Sequence, residues 1–282
     1  MMWFNRPEFD RFARFKSHGS AHEFFDYGEM CEVELPIPSI EKQREIVREY
    51  NTIQNRIALN NQLISKLEET AQAIYKQWFV DSKPENIILN LEDITDLITD
   101  GKHGNSEDQE NSGFYFLSAK DVRSTLIYEN SRQITKKDFV ETHKRTDLKH
   151  NDICLVNTGA TIGRMCLAPD NPKTSKTTFQ KSVAIIKPKE NFSTGQFLYC
   201  LLKDKMESLI ELGKGTSQAN LLLGDLKKFE IEYPGYEIVS KFEKIVTPVF
   251  KLFSQKIEEN QKLEELKDLL LAKMTRVESE KV

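Results

Sequence analysis

The stretch Glu34-Leu35-Pro36-Ile37-Pro38-Ser39-Ile40-Glu41-Lys42-Gln43-Arg44-Glu45-Ile46-Val47 sets the reading of the whole chain. It is a proline-punctuated run that turns into a helix start. Ser39 is placed as the N-cap, and Glu41 lies in the first turn, where a carboxylate meets the positive end of the helix dipole. Downstream, Ile46, Tyr50, Ile53, Ile57, Asn60, Ile64, Leu67, Ala71, Ile74 and Trp78 follow one another in alternating steps of four and three, the seam of a coiled coil. Neither Gly nor Pro interrupts residues 39–80, so the spacing predicts one helix of about 40 residues, roughly 60 Å at 1.5 Å per residue. A helix this long and half polar needs a partner helix. Asn60, inside an otherwise apolar seam, reads as a polar residue that fixes register.

The same joint returns 196 residues later, as the spacing of Gly19 and Gly215 shows. Gly28 falls on Gly224, Glu34 on Glu230, Pro38 on Pro234, Glu41 on Glu237, and Lys66-Leu67-Glu68-Glu69 on Lys262-Leu263-Glu264-Glu265. So long a period is not that of a solenoid. One unit, a domain tail feeding a long helix, occurs twice. The second copy offers a looser stripe, Phe242, Val246, Val249, Phe253, Ile257, Leu263, Leu266, Leu270 and Met274, between Tyr236 and about Val277, with Pro248 expected to kink or delay its first turns. The bland reading of both stripes is a structural hairpin or a dimerisation seam. A globular segment between the helices favours antiparallel pairing within the chain.

Residues 84–234 change texture. Short β-prone runs at 114–117, 152–156, 164–168 and 182–186 are separated by Gly, Asn, Pro and Lys clusters, and helices are expected at 136–144 and 194–212. The fold class is α+β: a mixed, loop-rich domain flanked by two long helices that pair as an antiparallel coiled coil. Loops on a rigid scaffold are where recognition usually sits.

Composition excludes more than it selects. In 282 residues, 30% charged, the net charge is only −4, so no overall basic excess points to nucleic acid or an anionic membrane, and charge has to be read locally. Cys31, Cys154, Cys166 and Cys200 form no Cys-x-x-Cys pair and fit reduced thiols in a cytoplasmic protein better than a disulfide framework or a zinc site. No apolar run has the length of a signal peptide or a membrane span, so a soluble, cytoplasmic protein with no membrane partner is expected.

Catalytic motifs fail one by one. Leu212-Gly213-Lys214-Gly215-Thr216-Ser217 lacks the phosphate-loop spacing. The glycines of Thr158-Gly159-Ala160-Thr161-Ile162-Gly163-Arg164 serve a tight strand connection as easily as a ligand. His18, His22, His103, His143 and His150 have no metal-ligand spacing. No catalytic residue, metal site or cofactor is expected. Binding fares better: Arg164, Lys173, Lys176, Lys181, Lys187 and Lys189 stand against the single acid Asp170, and a second run, Arg132, Lys136, Lys137, Lys144, Arg145 and Lys149, is diluted by Asp138, Glu141 and Asp147. Such clusters suit phosphates, and interleaved Thr and Gln suit phosphates or base edges; composition alone favours an ordinary solvated face.

The repeated joint, together with Asp100-Gly101-Lys102-His103, Phe116-Leu117-Ser118-Ala119-Lys120-Asp121-Val122, Asn151-Asp152-Ile153, Thr158 to Arg164, Phe179-Gln180-Lys181-Ser182-Val183 and Gly215-Thr216-Ser217-Gln218-Ala219-Asn220, resembles the specificity subunits of type I restriction-modification systems. These segments occur in that family's order and span nearly the whole chain. The resemblance implies a noncatalytic DNA-binding subunit. Its target-recognition domain would read one half of a bipartite site in double-stranded DNA. Its helices would act as spacer and as dock for DNA methyltransferase (modification) subunits, with a restriction/translocase subunit joining through the complex. A rigid helical pair makes half-site spacing a property of helix length.

In those terms residues 1–34 are the C-terminal remnant of a first target-recognition domain, 35–83 the central long helix, 84–234 a complete target-recognition domain and 235–282 the C-terminal long helix. A full family member carries two complete domains, so this chain looks half-sized. It either pairs with a second copy of itself to read an inverted repeat, or is a silent partial cassette that donates its domain by recombination. DNA-contact candidates on polar loops are Lys102, His103, Lys120, Arg123, Arg164, Lys176, Thr178, Gln180, Lys181, Lys214, Ser217 and Gln218. Arg164 and Gln180 suit guanine and adenine edges, and the lysines suit phosphates. Helix pairing is expected from Ile46, Tyr50, Ile53, Ile57, Asn60, Ile64, Leu67, Ile74 and Trp78 with Phe242, Val249, Phe253, Leu263 and Leu270. A coiled-coil adaptor without DNA affinity remains an alternative. A stand-alone nuclease or methyltransferase is disfavoured by the missing motifs.

Overall fold

The computed structural model describes residues 4, 7–19, 24–33, 39–82, 85–213 and 220–276. Its elements are α1 (Pro7–Lys16), α2 (Tyr27–Cys31), α3 (Ile40–Tyr75), β1 (Ile87–Asn90), β2 (Thr95–Asp100), β3 (Tyr115–Leu117), α4 (Lys136–Thr146), β4 (Ile153–Val156), β5 (Met165–Leu167), β6 (Thr177–Phe179), β7 (Val183–Pro188), α5 (Gly195–Leu212), α6 (Leu223–Lys227), β8 (Glu230–Tyr233) and α7 (Tyr236–Arg276). They form two compact units: residues 1–64 with 255–282, and residues 65–254.

The second unit is built on a four-stranded antiparallel sheet in the order β2-β7-β4-β5. Successive side chains on a strand point to opposite faces. Ile153, Leu155, Ala184 and Ile186 therefore enter one apolar cluster with Phe197, Leu198 and Leu201 of α5, while Cys154, Val156, Val183 and Ile185 enter another with Leu117 and Phe179. Both faces are covered, which is why β4 and β7 read as unbroken apolar runs rather than alternating ones. A parallel pair, β3-β6, and an antiparallel pair, β1-β8, complete the strands. The four cysteines are free thiols, three of them buried, and burial pushes the Cys154 and Cys200 thiols up.

The long helices pair through a seam that changes character. In the first unit, Ile46, Ile57 and Asn60 are buried on α3. Asn60 Nδ2 donates to Asn260 Oδ1 at 2.9 Å, and Asn260 Nδ2 donates to Asn61 Oδ1 at 2.8 Å. Asn260, absent from the expected stripe, thus occupies the gap between Ile257 and Leu263. Leu266, which the stripe included, is half exposed; Met274 lies outside the described side chains. In the second unit, Trp78 does pack on the core, but Tyr75 and Phe79 are the buried pair, with Phe79 5.1 Å from the Phe242 ring and 5.2 Å from that of Phe197. The regular helix gives way at Lys76–Asp81 to a wider π-helical stretch. From Ala71 the buried positions already step by four, to Tyr75 before the helix widens and to Phe79 within the wider stretch, with Ile74 and Trp78 packed partly buried beside them. Asn60 facing Asn260 and Phe79 facing Phe242 make the pair antiparallel. Pro248 lies within α7, which begins at Tyr236, so it does not delay the helix.

Candidate nucleic-acid interface

Because β3 and β6 run parallel, both leave the pair at the same end. β3 leads into the 3-10 turn Ala119–Asp121 and then Arg123, and β6 leads into Gln180 and Lys181. The two exits are tied by Gln180 N–H donating to Leu117 O at 2.9 Å. A third segment docks alongside. Lys102 N–H donates to Phe179 O at 2.7 Å, and Lys181 N–H donates to Lys102 O at 3.2 Å. This approach requires glycine at 101, where a Cβ would lie 2.0 Å from Phe179 O. The 3-10 turn is held by Asp121, whose Oδ2 accepts from Ser118 N at 2.8 Å and Ser118 Oγ at 2.9 Å. Arg164, arriving from the β4–β5 connection, donates to Ala119 O. These bonds bring the segments of Lys102, Gln180 and Lys181 together beside the exit of β3, and Arg164 reaches the turn that carries Lys120; His103 and Arg123 follow on the same loops.

Their chemistry differs. Lys102 is only 17% exposed and lies between Asp138 (3.3 Å) and Glu141 (3.6 Å). The Glu107 N–H, donating at 2.6 Å, is the main reason that Asp138 titrates below the usual carboxylate range, with Lys102 adding to it. His103 meets Asp100 at 2.9 Å, and Asp100 also accepts from Arg145 at 2.5 Å. Arg164 Nη2 donates to the Ala119 carbonyl beside Lys120, while its Nε is buried with no hydrogen-bond partner among the described residues. Lys120, Arg123 and Lys181 are exposed and have no ion pair among the described residues, and Gln180 is half-buried beside them.

Other candidates fall elsewhere. Lys176 is exposed and unpaired but precedes β6, about 13 Å along the chain from Gln180 at 3.3 Å per residue. Thr178, between them, is 0% exposed with its hydroxyl buried and unbonded, so it offers nothing to solvent. Lys214, Ser217 and Gln218 lie outside the described residues. The described foot of that loop, Asn220, is tied to the Thr158 turn by Thr158 Oγ1 donating to Asn220 Oδ1 at 3.0 Å. At the Lys176 end, Lys173 lies 5.5 Å and 5.4 Å from the Tyr115 and Tyr128 rings, and burial pushes the Tyr128 hydroxyl up to about 12. The sequence put Lys173 in a basic cluster, but nothing in it signalled the two rings beneath. Among the described residues no group of three or more His, Cys, Asp or Glu could hold a metal ion, and no helix is long and apolar enough to cross a membrane.

Residues 87–268 match the model of the type I restriction modification DNA specificity domain. The chain belongs to that family. Among curated proteins it is similar to the type I restriction enzyme MjaIX specificity subunit of Methanocaldococcus jannaschii, 24% identical over 286 residues, covering 92% of this chain and 63% of the relative. It is also similar to the HindI specificity subunit of Haemophilus influenzae, 22% identical over 325 residues, covering 88% of this chain and 69% of that one. The chain therefore spans about two thirds of the length of these specificity subunits. The crystal structure of the type I S subunit from M. genitalium shares its fold, with a TM-score of 0.58 at 17% identity over 91% of this chain and 67% of that one. The specificity-domain match begins at the first residue of β1 and ends inside α7, so the loop ends that carry Lys120, Arg123, Gln180 and Lys181 lie wholly within it.

Proposed function

We propose that this chain is a noncatalytic, cytoplasmic specificity subunit that reads one half of a bipartite duplex target through the loops leaving β3 and β6. The observation that carries the reading is the set of exposed, unpaired cations Lys120, Arg123 and Lys181 on the two loops that leave β3 and β6, whose exits are tied by Gln180 N–H donating to Leu117 O. Unpaired cations release counterions when they meet phosphates, and a glutamine amide among them suits an adenine edge. Arg164 acts through the Lys120 turn. Residues 84–234 form the complete recognition domain in this reading, and 1–34 the tail of another.

Modification subunits dock on the long helices, with restriction subunits joining through them. Exposed Ile40, Val47, Leu59 and Leu63 on α3 support this, as does a groove of about 600 Å³ along its first turns, lined among others by Arg44, Arg48 and Asn51. Selection from a randomised duplex by the chain complexed with a type I modification subunit tests the reading. Gln180→Ala should change the recovered half-site, whereas Lys181→Ala should weaken all sequences alike. No DNA affinity in that complex would leave the adaptor alternative.

A further inference from the structure

The turn Thr158-Gly159-Ala160-Thr161-Ile162-Gly163 joins β4 to β5. From Asn157 to Pro169 the chain holds a single cation, Arg164, and no acid. Each end of the turn is anchored to one of the loops that carry unpaired cations. At its start, Asn157 N–H donates to Ser182 O at 3.1 Å, next in the chain to Lys181. At its end, Arg164 reaches the carbonyl of Ala119, next in the chain to Lys120.

The two glycines of the turn serve different ends. Both have a left-handed backbone, with φ +96° at Gly159 and +86° at Gly163. A Cβ on Gly163 would lie 2.9 Å from Ile210 Cδ1 and 3.0 Å from Met206 Cγ, so α5 fills the space there. A Cβ on Gly159 would meet nothing within 4 Å, and Gly159, Ala160 and Thr161 are exposed. The turn is closed from within: Ile162 N–H donates to Gly159 O at 3.1 Å, Gly163 N–H to Val156 O at 2.9 Å and Arg164 N–H to Thr161 O at 3.1 Å. The N–H groups of Ala160 and Thr161 have no acceptor among the described residues. A braced, exposed tip thus offers two adjacent main-chain donors and an uncovered approach to them, and successive backbone N–H groups at such a turn make an anion-binding concavity.

We infer that the tip Gly159-Ala160-Thr161 is a main-chain phosphate contact, in which the N–H groups of Ala160 and Thr161 receive a nonbridging oxygen of the duplex backbone. The inference rests on reading the loops that leave β3 and β6 as the DNA face. A phosphodiester suits the site because its donors are neutral, no acid lies on the turn, and the loops anchoring it carry Lys120 and Lys181. Such a contact carries no base information, so it positions the duplex and leaves the choice of bases to side chains such as Gln180.

The test uses the full chain in complex with a type I modification subunit. Gly159→Asn keeps a residue type that tolerates the left-handed backbone but fills the open approach. Gly113, with φ +75° and equally open, precedes β3, at the opposite end of that strand from Lys120, so Gly113→Asn is the matched control. Both changes should leave the thermal midpoint within about 3 °C. Gly159→Asn should weaken all duplexes alike, by about tenfold or more, without changing the half-site recovered from a randomised pool, and Gly113→Asn should do neither. Duplexes in which methylphosphonate neutralises one phosphate at a time should lose affinity for the unaltered complex at particular positions, and at least one of these should cease to matter with Gly159→Asn. If Gly159→Asn does not fold, Ala160→Leu places a neutral block on the same tip without a left-handed residue and must give the same losses. An unaltered complex that binds no DNA sinks the reading of the face and this inference with it. A complex that binds DNA as well with Gly159→Asn as without it overturns the inference alone, and so does an equal loss from Gly113→Asn or an unchanged set of sensitive phosphates.

Discussion

Around Asp100, Asp138 and Asp152 the cations are held by carboxylates, whereas past the ends of β3 and β6 they stand alone. Lys102, Arg145 and Lys187 each reach an acidic side chain; Lys120, Arg123 and Lys181 reach none among the described residues. By sequence neither group stands apart, since acidic residues lie close to members of both, as Asp100 does to Lys102 and Asp121 to Lys120. The difference teaches that a basic count marks an anion-binding face only after the internal acids have taken their share. The paired cations assemble the scaffold, and the unpaired ones remain for a ligand.

The largest effect should come from breaking a pair. Lys187 Nζ lies 2.5 Å from Asp152 Oδ2, with side chains 13% and 6% exposed, and also donates to Asp147 O. Lys187→Ala leaves a buried carboxylate whose titration burial has already pushed up, and should cost about 3 kcal/mol in urea denaturation at neutral pH. Part of that loss should return on acidification, because protonating Asp152 removes the uncompensated charge. A loss below about 1 kcal/mol would mean that the pair does not support the sheet, and the contrast would weaken.

Next in size is a neutral pair. Asn60→Leu deprives Asn260 Oδ1 of its hydrogen-bond donor in the seam and should cost about 1–3 kcal/mol. Changing Asn60 and Asn260 together to Leu should recover that stability while loosening register, seen as heterogeneous cross-linking between cysteines placed along α3 and α7. If the double variant keeps one register, the asparagines only satisfy each other.

How much of this was legible follows the same division. The α+β class, the two long helices and their antiparallel pairing were readable because periodicity and an internal repeat are properties of the chain alone. Asn60 was readable as a polar break in an apolar seam. Its partner was not, since α7 skips from Ile257 to Leu263 and Asn260 is identified only by what faces it. The step from Ala71 to Tyr75 and Phe79 was hidden because Ile74 and Trp78 offer an equally apolar continuation of the four-three spacing. In the candidate interface, sequence found the segments but could not rank their residues. Thr178 is a β-branched polar residue on a short strand, and only the register of β6 against Phe116 buries it. Residue type alone suits Arg164 to a guanine edge, whereas its Nη2 donation to the Ala119 carbonyl, 45 positions away, is visible only in the fold.

Removing unpaired charge should hardly touch stability. Lys120→Ala, Arg123→Ala and Lys181→Ala combined should leave the unfolding free energy within about 0.5 kcal/mol. In complex with the modification subunit, the same changes should flatten the slope of log affinity against log salt by about one for each phosphate that is no longer neutralised. A large stability loss from this triple change would show these cations to be structural after all and would erase the distinction from Lys102 and Arg145.

The smallest effect tests the contrast on the helices, where pairs are exposed. Arg56 meets Glu259 at 2.6 Å and Lys256 meets the same carboxylate at 2.6 Å, so that Glu259 is held down at about 2 from an ordinary 4.5, chiefly by Arg56. A carboxyl depressed in the folded state contributes stability above its unfolded value and loses it as pH falls through the folded one. The helix pair should therefore weaken between about pH 4.5 and 2, and Glu259→Gln should remove that part of the acid dependence. Since both partners face water and salt screens them, the change should shrink in high salt, whereas that of Lys187→Ala should persist. Equal salt sensitivity in the two variants would show that exposure does not separate these pairs, and the distinction between scaffold charge and available charge would then need another basis.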